Sequence, residues 1–190
     1  AAGLMAVADT AHAERRGSVS FGAFGGYGGI FASSRVASDT TLDTSQYDYG
    51  ISYGLRLRYK LRGPAALGTS FEAQGYSRIG APAENTPKSL RVNVWSFEYI
   101  RYFRRATSRT TYLIAGVAIL PSAYGNIAKD QTLPAKGNGY SVVLGAGREI
   151  LRGSRADGID MAFRVFPHVI AGQTGVSAQI TIGVNHYMEP

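Results

Sequence analysis

From Gln46 to Leu61 the chain alternates without a break. Tyr47, Tyr49, Ile51, Tyr53, Leu55, Leu57, Tyr59 and Leu61 are apolar or aromatic. Gln46, Asp48, Gly50, Ser52, Gly54, Arg56, Arg58 and Lys60 between them are polar, charged or glycine. A period of two puts the two sets on opposite faces of one strand. The run far exceeds the about five or six residues usual in a globular sheet. It is long enough for the roughly 9–11 residues with which a tilted strand crosses a bilayer. The pattern therefore predicts a membrane-spanning strand, apolar face to the lipid and polar face inward.

Seven further stretches carry strand signals. They run from Ser18 to Phe31, Ala66 to Ile79, Leu90 to Phe103, Arg109 to Leu120, Gly139 to Ile150, Ile159 to Pro167 and Thr174 to Met188. In the fourth strand the best phase puts Trp95, Phe97, Tyr99 and Phe103 outward, with Ser96, Glu98 and Tyr102 inward; Arg91, Asn93 and Arg101 then point outward, which suits positions beyond the hydrocarbon. The fifth strand is apolar on both faces and has no clear phase. Turn residues separate the strands: Arg62-Gly63-Pro64-Ala65 is a tight turn, and His168 to Gln173 reads as a brief one. Long polar connections (Ala32–Ser45, Gly80–Ser89, Pro121–Asn138) alternate with short ones, and the last connection is compact.

No window approaches 18 consecutive apolar residues, so a membrane-spanning helix is excluded. Closure into a barrel is the other way to satisfy every backbone group in lipid. The predicted fold is all-β: an eight-stranded antiparallel up-and-down transmembrane β-barrel over residues 18–188. Residues 1–17 form an N-terminal segment. Its Ala11-His12-Ala13 resembles a signal-peptidase site, so it reads as the tail of a secretory signal; the other reading is a mature segment beside the barrel.

The small eight-stranded outer-membrane barrels, the OmpA/OmpX/Opa-like group, resemble this chain from Ser18 to Met188. The likeness rests on strand count, strand length, face alternation and loop alternation, with no diagnostic motif. It implies a bacterial outer membrane location, with membrane lipids and the barrel assembly machinery as partners. It also implies a surface role for the long loops, toward an extracellular ligand or an envelope protein. The last strand keeps Gly183 and the alternation but ends Met188-Glu189-Pro190, where the group often closes on an aromatic residue.

Composition adds detail. The chain has 190 residues, 24 glycines, 12 tyrosines and no cysteine, so disulfides and thiolate metal sites are out. The net charge of +7 does not point to nucleic acid, because the basic residues gather at strand ends. Arg62, Arg104, Arg105, Arg109, Arg152 and Arg155 form a basic collar at the short-turn, periplasmic rim, suited to anionic headgroups. The inward faces gather Arg56, Arg58, Lys60, Glu72, Glu98, Glu149, Asp160 and Arg164, with Asp48 and Arg78 toward one end. An eight-stranded barrel is only wide enough for side chains to fill it, so these charges are expected to pair and plug the lumen. Glu98 is expected to meet Arg56 or Arg58.

Three functions compete. The first is a structural or surface-interacting barrel acting through its loops. The second is a narrow pore or a carrier of small molecules through a lateral opening. The third is a soluble, lipocalin-like ligand-binding barrel with the faces exchanged. An enzyme is not expected. His168 could meet Ser177, but the residues after it do not match the His-x-Ser-Asn run of the lipid A deacylases, and no catalytic residue is assigned. Three scattered histidines and no cysteine give no reason to expect a metal or other cofactor.

Overall fold

The computed structural model describes residues 18–33, 47–61, 63–78, 89–103, 109–126, 137–151, 157–170 and 172–188. Eight strands result: β1 (Val19–Ser33), β2 (Tyr47–Lys60), β3 (Ala65–Arg78), β4 (Ser89–Phe103), β5 (Arg109–Asn126), β6 (Gly137–Leu151), β7 (Asp157–Ile170) and β8 (Gln173–Met188). Each pairs antiparallel with its sequence neighbour, and β1 closes on β8 from Val19↔Met188 to Ser33↔Gly175. Closure leaves no free sheet edge, which is what a sheet in lipid requires.

The alternation is carried into three dimensions. On β2, Tyr49, Ile51, Tyr53, Leu55, Leu57 and Tyr59 are exposed, while Ser52, Arg56 and Arg58 are buried inside. β4 keeps the expected phase, with Trp95, Phe97, Tyr99 and Phe103 outward. Arg91 and Arg101 lie at the two ends of this outward row and are exposed. At ~3.4 Å per residue and a tilt of ~40°, they stand about 26 Å apart along the barrel axis, close to the ~25 Å apolar band of such barrels. The outward arginines thus bracket the hydrocarbon layer.

Two strands run on through a proline past their expected ends. β5 continues through Pro121 to Asn126, because the ladder shifts beside the proline on both sides. Those bulges accommodate its missing N–H. β7 continues through Pro167 and His168 to Ile170, and Ile170 pairs with Gln173. Just before β8, Gly172 lies in a turn with a φ of 80° that favours glycine. Asp48 is exposed instead of inward, since the β2–β3 register shifts between Tyr47 and Gly50.

The fifth strand resolves its own ambiguity. Leu113, Val117 and Ile119 face out, while Tyr112, Ile114, Ala118 and Leu120 face in. They join Leu90, Val92, Val94 and Ile100 of β4, Val143 of β6 and Phe166 and Ile170 of β7 in an apolar cluster inside the barrel. The lumen is therefore divided between charged and apolar regions.

Candidate functional site in the barrel lumen

Period-two folding aims Arg56 and Arg58 of β2 inward on one face, and Asp160 of β7 meets both. The Arg56 Nη1 donates to Asp160 Oδ1 at 2.7 Å, and the Arg58 Nη1 donates to Oδ2 at 3.1 Å. Tyr112 OH donates to the same Oδ2 at 2.7 Å. Phe24 lies 4.7 Å under the Arg56 guanidinium, and the Tyr112 ring lies 5.1 Å from that of Arg58. Asp160 is wholly buried, so its charge depends on these donors. Space for the arginines comes from glycine: a Cβ built on Gly183 would stand 2.3 Å from Arg56 Nη2.

A second cluster inverts the first. Arg164, also on β7, reaches two carboxylates: Glu72 Oε2 at 3.4 Å, and Glu98 Oε1 in a short contact. Gln74 Nε2 donates to Glu72 Oε1 at 2.9 Å, and Tyr76 OH donates to Gln74 Oε1 at 2.6 Å. Ser96 Oγ donates to Glu98 Oε1 at 2.6 Å. One carboxylate thus holds two guanidiniums, and one guanidinium holds two carboxylates. The charges of the two triads cancel.

A third group lies lower. Glu149 accepts from Asn185 Nδ2 at 2.9 Å and from Tyr187 OH in a short contact, and the Lys60 ammonium lies 5.9 Å from the Tyr102 ring. All eight residues named from the pattern therefore lie on the lumen side, Lys60 half-buried and the other seven buried.

The expected pairing of Glu98 with Arg56 or Arg58 does not form. The register does set Arg58, Gly68 and Glu98 side by side on β2, β3 and β4. Asp160 and Arg164 reach in from the far wall and take the two sides apart. Equal depth on one wall did not decide the pairing, because long side chains in a narrow lumen meet across it. Of the basic collar, Arg62, Arg104, Arg105, Arg152 and Arg155 lie outside the described residues, and Arg109 is the first residue of β5.

Between the triads and the long-loop end, Ile30, Tyr76, Val92, Val94, Leu120, Phe166 and Ile170 narrow the lumen. They leave a cavity of about 10 Å³, also lined by Gln74, Ser141, His168 and Ser177. Such a volume holds about one water. His168 Nδ1 is 2.9 Å from Phe166 O, and its buried Nε2 has no hydrogen-bond partner. His168 and Ser177 line the same cavity, but no hydrogen bond joins them. Sequence reasoning missed Tyr112, Phe24 and this apolar region. The signal present was the doubly apolar fifth strand.

Beside this cavity the β6–β7 ladder lacks the hydrogen bond that a proline cannot donate. The β6–β7 ladder runs from Ser141↔His168 to Leu144↔Val165 in continuous register, but Val142 and Val143 have no partners opposite Pro167 and Phe166. Pro167 lacks an N–H to donate there. The Ser141 hydroxyl sits in the gap, 2.8 Å from Val142 O and 2.9 Å from Pro167 O.

Neither a protein-family model nor a curated protein sequence matches the chain. Solved structures do. The outer membrane protein OprG from Pseudomonas aeruginosa aligns with a TM-score of 0.63 at 11% identity, covering 93% of this chain and 99% of that one. Neisserial surface protein A aligns with a TM-score of 0.60 at 14% identity, covering 90% and 99%. Ail of Yersinia pestis, in complex with the heparin analogue sucrose octasulfate, aligns with a TM-score of 0.56 at 13% identity, covering 91% and 99%. An inward charge network, an outward apolar band and this likeness converge: the chain has the fold of the small eight-stranded barrels of the bacterial outer membrane.

Proposed function

We propose that this protein is an outer-membrane barrel whose lumen is sealed by its own side chains and which acts at the cell surface through its long loops. The observation that carries the reading is the interior. Two triads, centred on Asp160 and Arg164, span the lumen, and beyond them an apolar cluster closes around a cavity that holds about one water. A lipocalin-like binder would need its aromatic and aliphatic side chains inside, and most of them face out. The ends of β1 and β8 lie at the same rim as the Gly63-Pro64 turn, the periplasmic rim in this class. The opposite rim then carries residues 34–46, 79–88 and 127–136. Their charges balance, Arg35, Lys88, Lys129 and Lys136 against Asp39, Asp43, Glu84 and Asp130. That balance favours a partner of mixed or neutral surface over a polyanion such as the heparin analogue bound to Ail.

Two measurements test this. In planar bilayers the purified protein should show no steady conductance; steady openings would overturn the sealed lumen. On intact cells, trypsin should cut at Arg35, Lys88 or Lys129; protection of all three would overturn the assigned orientation.

A second reading has one observation in its favour. The β6–β7 ladder lacks a hydrogen bond at Pro167, beside the cavity lined by Ser141, Phe166 and His168, and this is where a small apolar molecule would enter from the bilayer. Uptake of a small apolar dye into vesicles carrying the protein, reduced by Pro167→Val, would favour this carrier role.

A further inference from the structure

The outer surface carries a charge arrangement that the lumen network does not absorb. At the short-turn rim the register aligns Phe103, Thr111, Arg148 and Met161 in one outward row across β4 to β7. The next row toward the membrane centre holds Arg101, Leu113, Ala146 and Phe163. Arg101 and Arg148 thus stand diagonally across β5 with Thr111 between them, and all three are exposed. With strands ~4.8 Å apart and ~3.4 Å per residue, their Cα atoms are about 12 Å apart. Two side chains of this length can converge over that distance.

Neither arginine forms an ion pair among the described residues. The described outward carboxylate near them, Asp157, meets His186 at 2.8 Å on the next pair of strands. Arg101 also marks the lower edge of the apolar band, where a long cationic side chain lies along the apolar wall and turns its head to the interface. Two planar guanidiniums within reach of one spot, with a hydroxyl on the strand between them, suit a phosphate diester. Leu113 and Phe163, both about half exposed, offer apolar wall directly above.

We propose that Arg101, Thr111 and Arg148 form a binding site for the phosphate of an anionic glycerophospholipid in the periplasmic leaflet, with its acyl chains lying over Leu113 and Phe163. The leaflet assignment rests on the orientation proposed above; the site itself does not. Charge complementarity sets the class of lipid, and each near-surface cation strengthens binding several-fold.

The test is native mass spectrometry of the folded barrel in detergent micelles containing equal phosphatidylglycerol and phosphatidylcholine. The wild-type protein should retain phosphatidylglycerol in preference. The R101Q/R148Q double variant should lose about tenfold or more of that preference. R101K/R148K should keep part of it, and Arg91→Gln at the opposite rim should keep it whole. A heat-dependent gel shift confirms that each variant is folded. Unchanged preference in R101Q/R148Q, or an equal loss in Arg91→Gln, would overturn the site. The micelle measurement reads the site whichever leaflet it faces, while trypsin on cells reads the orientation.

Discussion

Asp160 and Arg164 share the inward face of β7, and each holds two partners of opposite charge from the far side of the lumen. One strand therefore organises both triads. Removing a shared centre leaves two like charges buried together, which is worse than removing one of the two partners. Asp160→Ala should destabilise the barrel by about 3–5 kcal/mol, the usual cost of breaking a buried pair. Arg56→Met should cost less, since Asp160 keeps Arg58 and Tyr112. In the Asp160→Ala background, Arg56→Met should cost nothing further or restore stability. Urea unfolding in lipid vesicles measures all three, and an Asp160→Ala variant of wild-type stability would remove the structural role assigned to the network.

Room for the network is carved by missing side chains. A Cβ on Gly147 would lie 2.3 Å from the Tyr112 ring, whose hydroxyl bonds Asp160. A Cβ on Gly183 would meet both Arg56 and the Ala23 carbonyl at 2.6 Å or less. Gly25 faces outward, and its Cβ would find nothing nearer than 3.8 Å. Gly147→Ala and Gly183→Ala should each cost about 1–3 kcal/mol, as overpacking does. Gly25→Ala should stay within about 0.5 kcal/mol. Equal effects at the three sites in the same unfolding assay would contradict this packing.

Trp95 reports on the bilayer directly, because the chain has one tryptophan. It faces outward at 45% exposure, between Arg91 and Arg101, and its Nε1 donates to Thr69 Oγ1 at 2.9 Å. That bond satisfies the indole N–H away from water, a requirement in lipid. In vesicles, Trp95 fluorescence should be quenched by lipids brominated on the acyl chain and hardly at all by aqueous iodide. The reverse result would place this face in water.

The barrel was legible in the sequence because lipid outside and charge inside impose opposite chemistry on successive residues. Tyr53 and Arg56 declare their faces without any neighbour. The strand ends were less legible. Pro121 and Pro167 are ordinary breakers, yet each is held inside a strand, one by bulges and one by a serine hydroxyl in its gap. The charged side chains were legible as a set, but their partners were not. Whether Arg58 turns to Glu98 beside it or to Asp160 across the lumen depends on barrel stagger and on what Arg164 takes first. A single strand's pattern contains neither. The apolar cluster escaped notice because Ile114, Ala118 and Leu120 look the same facing lipid or facing one another.

The β6–β7 interruption makes a sharper test than any single substitution. Pro167 leaves the Val142 carbonyl without its ladder donor, and the Ser141 hydroxyl lies within hydrogen-bond distance of it. In the native chain Ser141→Ala should cost about 1–3 kcal/mol, the range for a buried acceptor left unmade. Pro167→Val supplies an N–H in the direction of β6, so the hydroxyl is no longer needed. Ser141→Ala should then cost little in the Pro167→Val background, and the two changes should be non-additive by a clear margin. Additive energies would mean that neither the serine hydroxyl nor the missing proline N–H shapes the wall there.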